Sequence, residues 1–157
     1  MASSTLLQKL DPATDPLVAG TVGSTTNTIN RAQSEWFLAS SAIALGDWVV
    51  FDTSKTGSDR VLYVVPSTNI ALGNALVVGV AKSAQATVGG KIEVIVAGYA
   101  ATAKAVAGVG AAGVPLCVVA NAPSCEANVA ANIAQPVGVS LAASAAGVAP
   151  VWVIKNF

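Results

Sequence analysis

The chain has 157 residues; 10% are charged, 54% are hydrophobic, and eight basic residues balance eight acidic ones. A neutral chain lacks the excess positive charge with which proteins bind nucleic acid or anionic membranes, so the composition argues against both partners. The length suits a single domain with its own core. So low a charged fraction predicts that neighbouring subunits cover part of the surface.

Two long charge-free runs, 105–125 and 127–154, have to be considered as membrane spans because the mean hydropathy is +0.65. Both runs carry Gly, Pro and Asn through their middle and are rich in Ala and Gly, so neither predicts a continuous spanning helix. The first residues, MASSTLLQKLDPATDP, lack a basic segment followed by a long apolar one and predict no signal peptide. We therefore expect the protein to fold in a cytosol and to contact no membrane.

Residues 1–40 differ in composition from the remainder of the chain. They contain two Asp-Pro steps and the polar stretch GSTTNTINRAQS, with few apolar runs. Such a segment cannot bury enough apolar surface to order itself, which predicts an extended N-terminal arm that is either mobile or laid along a neighbouring subunit. Its apolar residues are the candidate contact points: Leu6, Leu7, Leu10, Leu17 and Val18.

From Glu35 onward, short apolar runs alternate with turn residues. Trp36 to Leu38 form one such run and are a candidate first strand of the core. Residues 48–65 predict a hairpin with the polar loop TSKTGSD at its end. Residues 99–113 show too weak an alternation for assignment, and residues 121–132 predict a long loop. Strands spaced about ten residues apart favour a small antiparallel barrel or sandwich, which we place at residues 41–157.

A degenerate internal repeat lies within this predicted domain. Residues 77–97 and 136–154 align without a gap, so that a Val-Gly-Val step and a later Val-Ile pair coincide. Two apolar runs joined by a small-residue loop, and repeated once, predict two related β-units that share a core. The coinciding residues include Val78, Gly79, Val80, Ala86, Val94 and Ile95 with Val137, Gly138, Val139, Ala145, Val153 and Ile154.

The second strand of each unit also predicts an outward-facing position. Glu93 alternates with Ile92 and Val94, so it should face away from their core and could pair with Lys91 along the strand. The repeat places Trp152 at the equivalent position. An exposed Trp on a strand is a candidate interface anchor, although a core position is the alternative.

No pattern in the sequence predicts catalysis. Gly89-Gly90-Lys91 resembles part of a phosphate loop, but the Gly and the hydroxyl that such a loop requires are replaced by Gln85 and Ile92. The chain has no His, so the commonest route for activating a serine nucleophile is missing. We therefore expect no enzyme, no metal, no cofactor and no small-molecule substrate.

The remaining polar and thiol groups have structural interpretations. The carboxylates of Asp47, Asp52 and Asp59 flank turns of one predicted hairpin, where solvated Asp is the usual case. Cys117 and Cys125 could close a hairpin with a disulfide or occupy the core as free thiols, and a reducing compartment favours free thiols.

Three segments in succession resemble a known family. The stretch ALGDWVV at 44–50, the strand VVGVA at 77–81 and the turn and strand GGKIEV at 89–94 are similar to the capsid cement, or head decoration, proteins of tailed bacteriophages. The resemblance covers roughly residues 42–98 and leaves 1–40 unmatched. It implies a small β-barrel or β-tulip domain, usually trimeric, on the outer capsid where capsomers meet.

The implied function is structural. Such a protein, made in the host cytoplasm, binds the major capsid protein and holds neighbouring subunits together against the pressure of packaged DNA. We expect the apolar arm residues, with Trp36 and Trp152, to make these contacts. The alternative is another self-assembling structural protein, such as a phage tail or fibre component or a bacterial surface-layer or pilus subunit. An enzyme or ligand-binding module would instead require a deep polar pocket.

Overall fold

The computed structural model describes residues 32–69, 76–106, 109–128 and 135–156. It confirms the prediction of a mainly β protein built around a closed barrel. Nine strands lie within these ranges: β1 (Ala32–Ala39), β2 (Trp48–Phe51), β3 (Tyr63–Pro66), β4 (Val77–Ala81), β5 (Lys91–Lys104), β6 (Pro115–Val118), β7 (Cys125–Ala127), β8 (Gly138–Ser140) and β9 (Val148–Val153). Short 3-10 turns occupy Gly57–Val61 and Ser67–Asn69.

The first five strands close into a barrel. Its order is β1-β3-β2-β4-β5, and pairing between β5 and β1 completes the ring. The predicted hairpin of residues 48–65 is present, because β2 and β3 pair antiparallel with Val50 opposite Val65. Alternate side chains fill the interior: Phe37, Ile43, Val49, Val64, Val78, Ile92, Val94 and Val96 are all buried. In β5, the buried Ile92 and Val94 alternate with Lys91 and Glu93, which is the period of two expected of a strand with one side facing the core.

Strand β5 continues beyond the barrel, where the same nine-stranded sheet extends through four further strands. Its first half pairs with β4, and its second half pairs with β9, followed in order by β8, β6 and β7. A parallel bridge between Ala105 and Cys125 places the start of β7 beside the end of β5. The long strand β5 therefore belongs both to the barrel and to the group of strands β9, β8, β6 and β7 beyond it.

Two sequence assignments in this second half were wrong. Strand β5 runs to Lys104, beyond residue 97, where the first predicted repeat unit ends, and into residues 99–113, which the sequence left unassigned. Strand β7 lies within residues 121–132, which were predicted as a loop. Residues 97–103 are mostly Ala and Gly, so their inward and outward positions differ little in hydrophobicity. A bulge between Ala100 and Ala103 also breaks the period of two.

The predicted boundary between arm and barrel at residue 40 was also wrong. Residues 32–39 form β1, and its inward residues Phe37 and Ala39 are 7% and 0% exposed. The polar outward residues of this strand had made it resemble the preceding segment. The proposed contact residues Leu6, Leu7, Leu10, Leu17 and Val18 lie outside the described residues.

The internal repeat corresponds to two hairpins, with a shift on the second strand. Val80 pairs with Ile95 in the first hairpin, and its counterpart Val139 pairs with Trp152 in the second. Trp152 is therefore equivalent to Ile95, two residues from the position of Glu93 that the ungapped alignment suggested. A shift of two residues keeps side chains on the same face, so the predicted outward orientation of Trp152 holds.

Candidate functional site

The described residues include a set of large apolar side chains that are exposed at the surface. No cluster of three or more His, Cys, Asp or Glu side chains that could hold a metal occurs within the described ranges. In the same part of the chain, no helix has the length and apolarity needed to cross a bilayer.

An aromatic and aliphatic row crosses the outer face of the sheet where it extends beyond the barrel. Tyr99 pairs with Trp152, Trp152 pairs with Val139, and Val139 pairs with Pro115, so the row spans β5, β9, β8 and β6. Tyr99 and Trp152 are each 40% exposed. Directly paired residues share a face, and three strand spacings make the row about 14 Å long.

Two exposed neighbours widen the row into what we call the apolar face. Leu141 lies two residues beyond Val139, and Ile154 lies two residues beyond Trp152, which puts both on the same side. Neither β8 nor β9 contains a charged residue. The face consists of Tyr99, Pro115, Val139, Leu141, Trp152 and Ile154. Its footprint of about 200 Å², from the strand geometry, is well below the ~800 Å² per partner of a stable isolated interface.

A second apolar surface lies beside β1. A groove of about 380 Å³ is lined by Trp36, Phe37, Leu38, Leu62 and Lys91. Trp36 is 66% exposed, so the structure places this predicted contact residue at the surface, as it does Trp152. The two Trp residues lie on different surfaces, one in the groove and one in the apolar face.

The outward-facing Glu93 of β5 forms an ion pair. The Glu93 carboxylate accepts hydrogen bonds from Lys82 Nζ at 2.8 Å and from Ser34 Oγ at 2.6 Å, and the bond from Lys82, then that from Ser34, lowers the pKa of Glu93. The expected pairing with Lys91 was wrong. Residues two apart on one strand are about 7 Å from each other, whereas a neighbour on the adjacent strand is closer.

The stretch ALGDWVV at residues 44–50 contacts the far end of β5, beyond the barrel. Asp47 is 4% exposed, and its carboxylate contacts Lys104 Nζ at 2.5 Å and accepts the Ala44 backbone N–H at 2.7 Å. The Gly46 carbonyl accepts the Lys104 N–H at 2.8 Å, and Trp48 Nε1 donates to the Lys104 carbonyl at 3.1 Å. Three successive residues thus hold one residue at the end of β5, which is a structural role.

The expectation of solvated carboxylates was wrong for Asp47 and for Asp52, which is 8% exposed. Asp52 Oδ1 accepts the Ser54 backbone N–H at 3.0 Å and the Ser54 hydroxyl at 2.6 Å. The nearby Ser40 side chain, and then the hydrogen bond from the Ser54 side chain, lower the pKa of Asp52. Asp59 is exposed, as expected of a turn residue.

The two cysteines are free and buried. Cys117 pairs with Glu126 and Val118 pairs with Cys125, so the two thiols extend from opposite faces of the β6–β7 pair. Burial raises the pKa of both thiols, that of Cys125 to about 12. The disulfide alternative is therefore incompatible with this register, and the cysteines serve as core residues.

Comparison with known proteins adds no identity, because the sequence matches no protein-family model and no curated protein.

Proposed function

We propose that this protein is a structural component of a bacteriophage virion that binds the outside of the capsid. The observation that carries the proposal is the uncharged apolar face, whose two aromatic side chains are each 40% exposed. Exposed Trp and Tyr on a rigid sheet are typical interface anchors, since few rotamers have to be fixed on binding. The resemblance of residues 42–98 to capsid cement proteins supplies the class of partner, the major capsid protein.

The proposed mechanism is passive. Each copy binds neighbouring capsid subunits through small contacts, and a homotrimer presents three copies of every contact at once. Linked weak contacts reinforce one another by effective concentration, so a face too small for a stable isolated complex suffices in a trimer on a shell. Packaged DNA would have to break these contacts together to expand the capsid. No catalytic reaction, cofactor, membrane or nucleic acid takes part.

The first test is solution mass by light scattering, followed by sedimentation with capsids stripped of decoration. We expect a stable trimer that sediments with the shells. The double variant Tyr99→Ser/Trp152→Ser should lose most of this binding, whereas Val88→Ser should retain it, because Val88 is 66% exposed and lies in the turn before β5. A monomer that ignores the shells would contradict the proposal.

The second candidate is another self-assembling structural protein, namely a tail, fibre, surface-layer or pilus subunit. The same uncharged face favours it, since identical copies could stack through it without like-charge repulsion. Electron microscopy of the purified protein distinguishes the two. Filaments or open rings that form without capsids would support this candidate against the first.

A further inference from the structure

The first half of β1 has an open edge. Pairing between β1 and β3 is parallel and begins with Leu38 opposite Tyr63. Before Tyr63 the chain leaves this line, because residues 57–61 form a 3-10 turn. Within the described ranges, no strand therefore continues beside Ala32–Trp36 on the β3 side.

The direction of the backbone groups along this edge follows from the bonds that β1 does make. The N–H groups of Leu38 and Ser40 donate to the Leu62 and Val64 carbonyls, each at 2.9 Å. Alternate residues of a strand point their backbone groups to the same side, so those of Trp36 and Ser34 are directed toward the open edge. Such an edge is a template for another strand.

The 380 Å³ groove lies at this edge and gives it chemical selectivity. Trp36 and Leu62, which are 66% and 48% exposed, provide apolar walls. Lys91 lies at the same groove, is exposed, and has no carboxylate within ion-pair distance among the described residues. An apolar side chain and a carboxylate on one face of an added strand would therefore both find complementary groups.

We propose that this edge is a strand-addition site for an extended segment of another protein, in which apolar residues and an acidic residue share one face. The segment lies in the line of β3 and pairs with Ala32–Trp36. Backbone hydrogen bonds supply most of its affinity, and Trp36, Leu62 and Lys91 supply its selectivity. The edge is about 17 Å long, enough for five residues at the usual strand rise. This site does not depend on binding to a capsid.

The test is fluorescence anisotropy of the full chain with labelled octapeptides. The probe LTVTDTVT places three apolar residues and Asp on one face, and LTVTKTVT replaces the Asp by Lys. The third peptide, LTPTDPVT, has one Pro at an odd and one at an even position, so that backbone hydrogen bonding is blocked on whichever side faces β1. We expect saturable binding of the first and none of the proline peptide. Trp36→Ser should weaken binding about tenfold or more, equal to ~1.4 kcal/mol, as for an interface anchor.

Two controls decide between site-specific and general binding. Lys91→Glu should weaken LTVTDTVT and strengthen LTVTKTVT, while Val88→Ser should leave both unchanged. Binding that survives Trp36→Ser, or that the proline peptide shares, would overturn the proposal, as would no binding at millimolar peptide. If Trp36→Ser instead converts a self-associated species to monomer in sedimentation, the occupant is a second copy and a foreign segment is wrong.

Discussion

At the scale of single residues, the most consequential contacts are those of buried polar groups. Asp47 is nearly inaccessible, yet it satisfies the Ala44 N–H and faces the ammonium of Lys104. A buried carboxylate costs free energy unless it is paired, so the contribution of Asp47 to stability depends on both of these partners. The neighbouring Trp48 indole, 0% exposed, donates to the Lys104 carbonyl. These contacts hold the end of β5 against β2.

Replacement of Asp47 by Asn should destabilise the protein by about 2 kcal/mol, because the ion pair with Lys104 is lost. Urea unfolding followed by Trp fluorescence measures this free energy. Asp59→Asn is the matched control; Asp59 is exposed, so its replacement should change stability by less than about 0.5 kcal/mol. Equal effects of the two substitutions would contradict a role for the Asp47 contacts.

The Glu93 carboxylate should make stability dependent on acid pH. Its pKa in the folded state is lowered from the usual 4.5 by Lys82 and Ser34. A lowered pKa means that this stabilisation is present above the unfolded pKa and is lost as pH falls through the folded pKa. Glu93→Gln should therefore reduce stability at pH 7 by about 0.5–1 kcal/mol and flatten its decline below about pH 4.5.

The pH series needs a partner variant. Lys82→Met should reproduce the flattening, and the double variant should add little, since both substitutions remove one interaction. Unfolding free energies between pH 3 and 7 supply the measurement. If the unfolding free energy of Glu93→Gln falls with decreasing pH as steeply as that of the wild-type chain, the acid sensitivity comes from other groups. Asp52 is one such group, since its pKa is also lowered.

At the scale of elements, the two hairpins of the repeat share a close backbone approach. A Cβ on Gly79 would meet the Ile95 carbonyl oxygen, and a Cβ on Gly138 would meet that of Trp152. Ile95 and Trp152 occupy equivalent positions in the two hairpins. The repeated glycine therefore allows the second strand to cross the first at short distance, and only a residue without a side chain fits.

Gly79→Ala should be strongly destabilising, by at least ~3 kcal/mol or to the point of failure to fold, because the obstructing atom belongs to backbone that cannot move aside. Gly89→Ala is the matched control. Nothing lies within 4 Å of a Cβ there, and its φ of +79° leaves only the smaller cost of a left-handed conformation, ~1 kcal/mol. Thermal unfolding of both variants tests this, and a smaller loss in Gly79→Ala than in the control would contradict it.

At the scale of the whole molecule, the barrel requires β1 for closure. Residues 33–157 form one compact unit, and Phe37 and Ala39 of β1 belong to its buried core. Removal of this strand would open the ring between β3 and β5 and expose that core.

Two truncations therefore should behave differently. A chain lacking residues 1–31 should keep a single cooperative thermal transition, whereas a chain lacking 1–40 should lose it, because the second deletion removes β1. Circular dichroism against temperature distinguishes them. A cooperative transition in the shorter chain would show that β1 is dispensable for the barrel.

A strand could be predicted from the sequence where its inward and outward side chains differ clearly in hydrophobicity. Strands with alternating large apolar and polar residues, such as KIEVIV in β5, could be recognised, and with them the barrel class and the hairpin of residues 48–65. The second half of β5 and strand β7 were missed, since Ala and Gly carry little of this contrast. Of the candidate contact residues, Trp36 and Trp152 are exposed, and contact with a partner stays a prediction for both.

The amino-acid sequence by itself determined the neutral, apolar composition, the period-two core of the barrel and the repeated hairpin with its glycine. These are local properties that depend on spacing of two or on composition. Only the tertiary structure decided that Lys104 meets Asp47, that Trp152 stands in a row with Tyr99, Val139 and Pro115, and that β1 leaves an open edge. Those features arise from pairing between residues distant in sequence, whose register depends on the closure of the whole sheet.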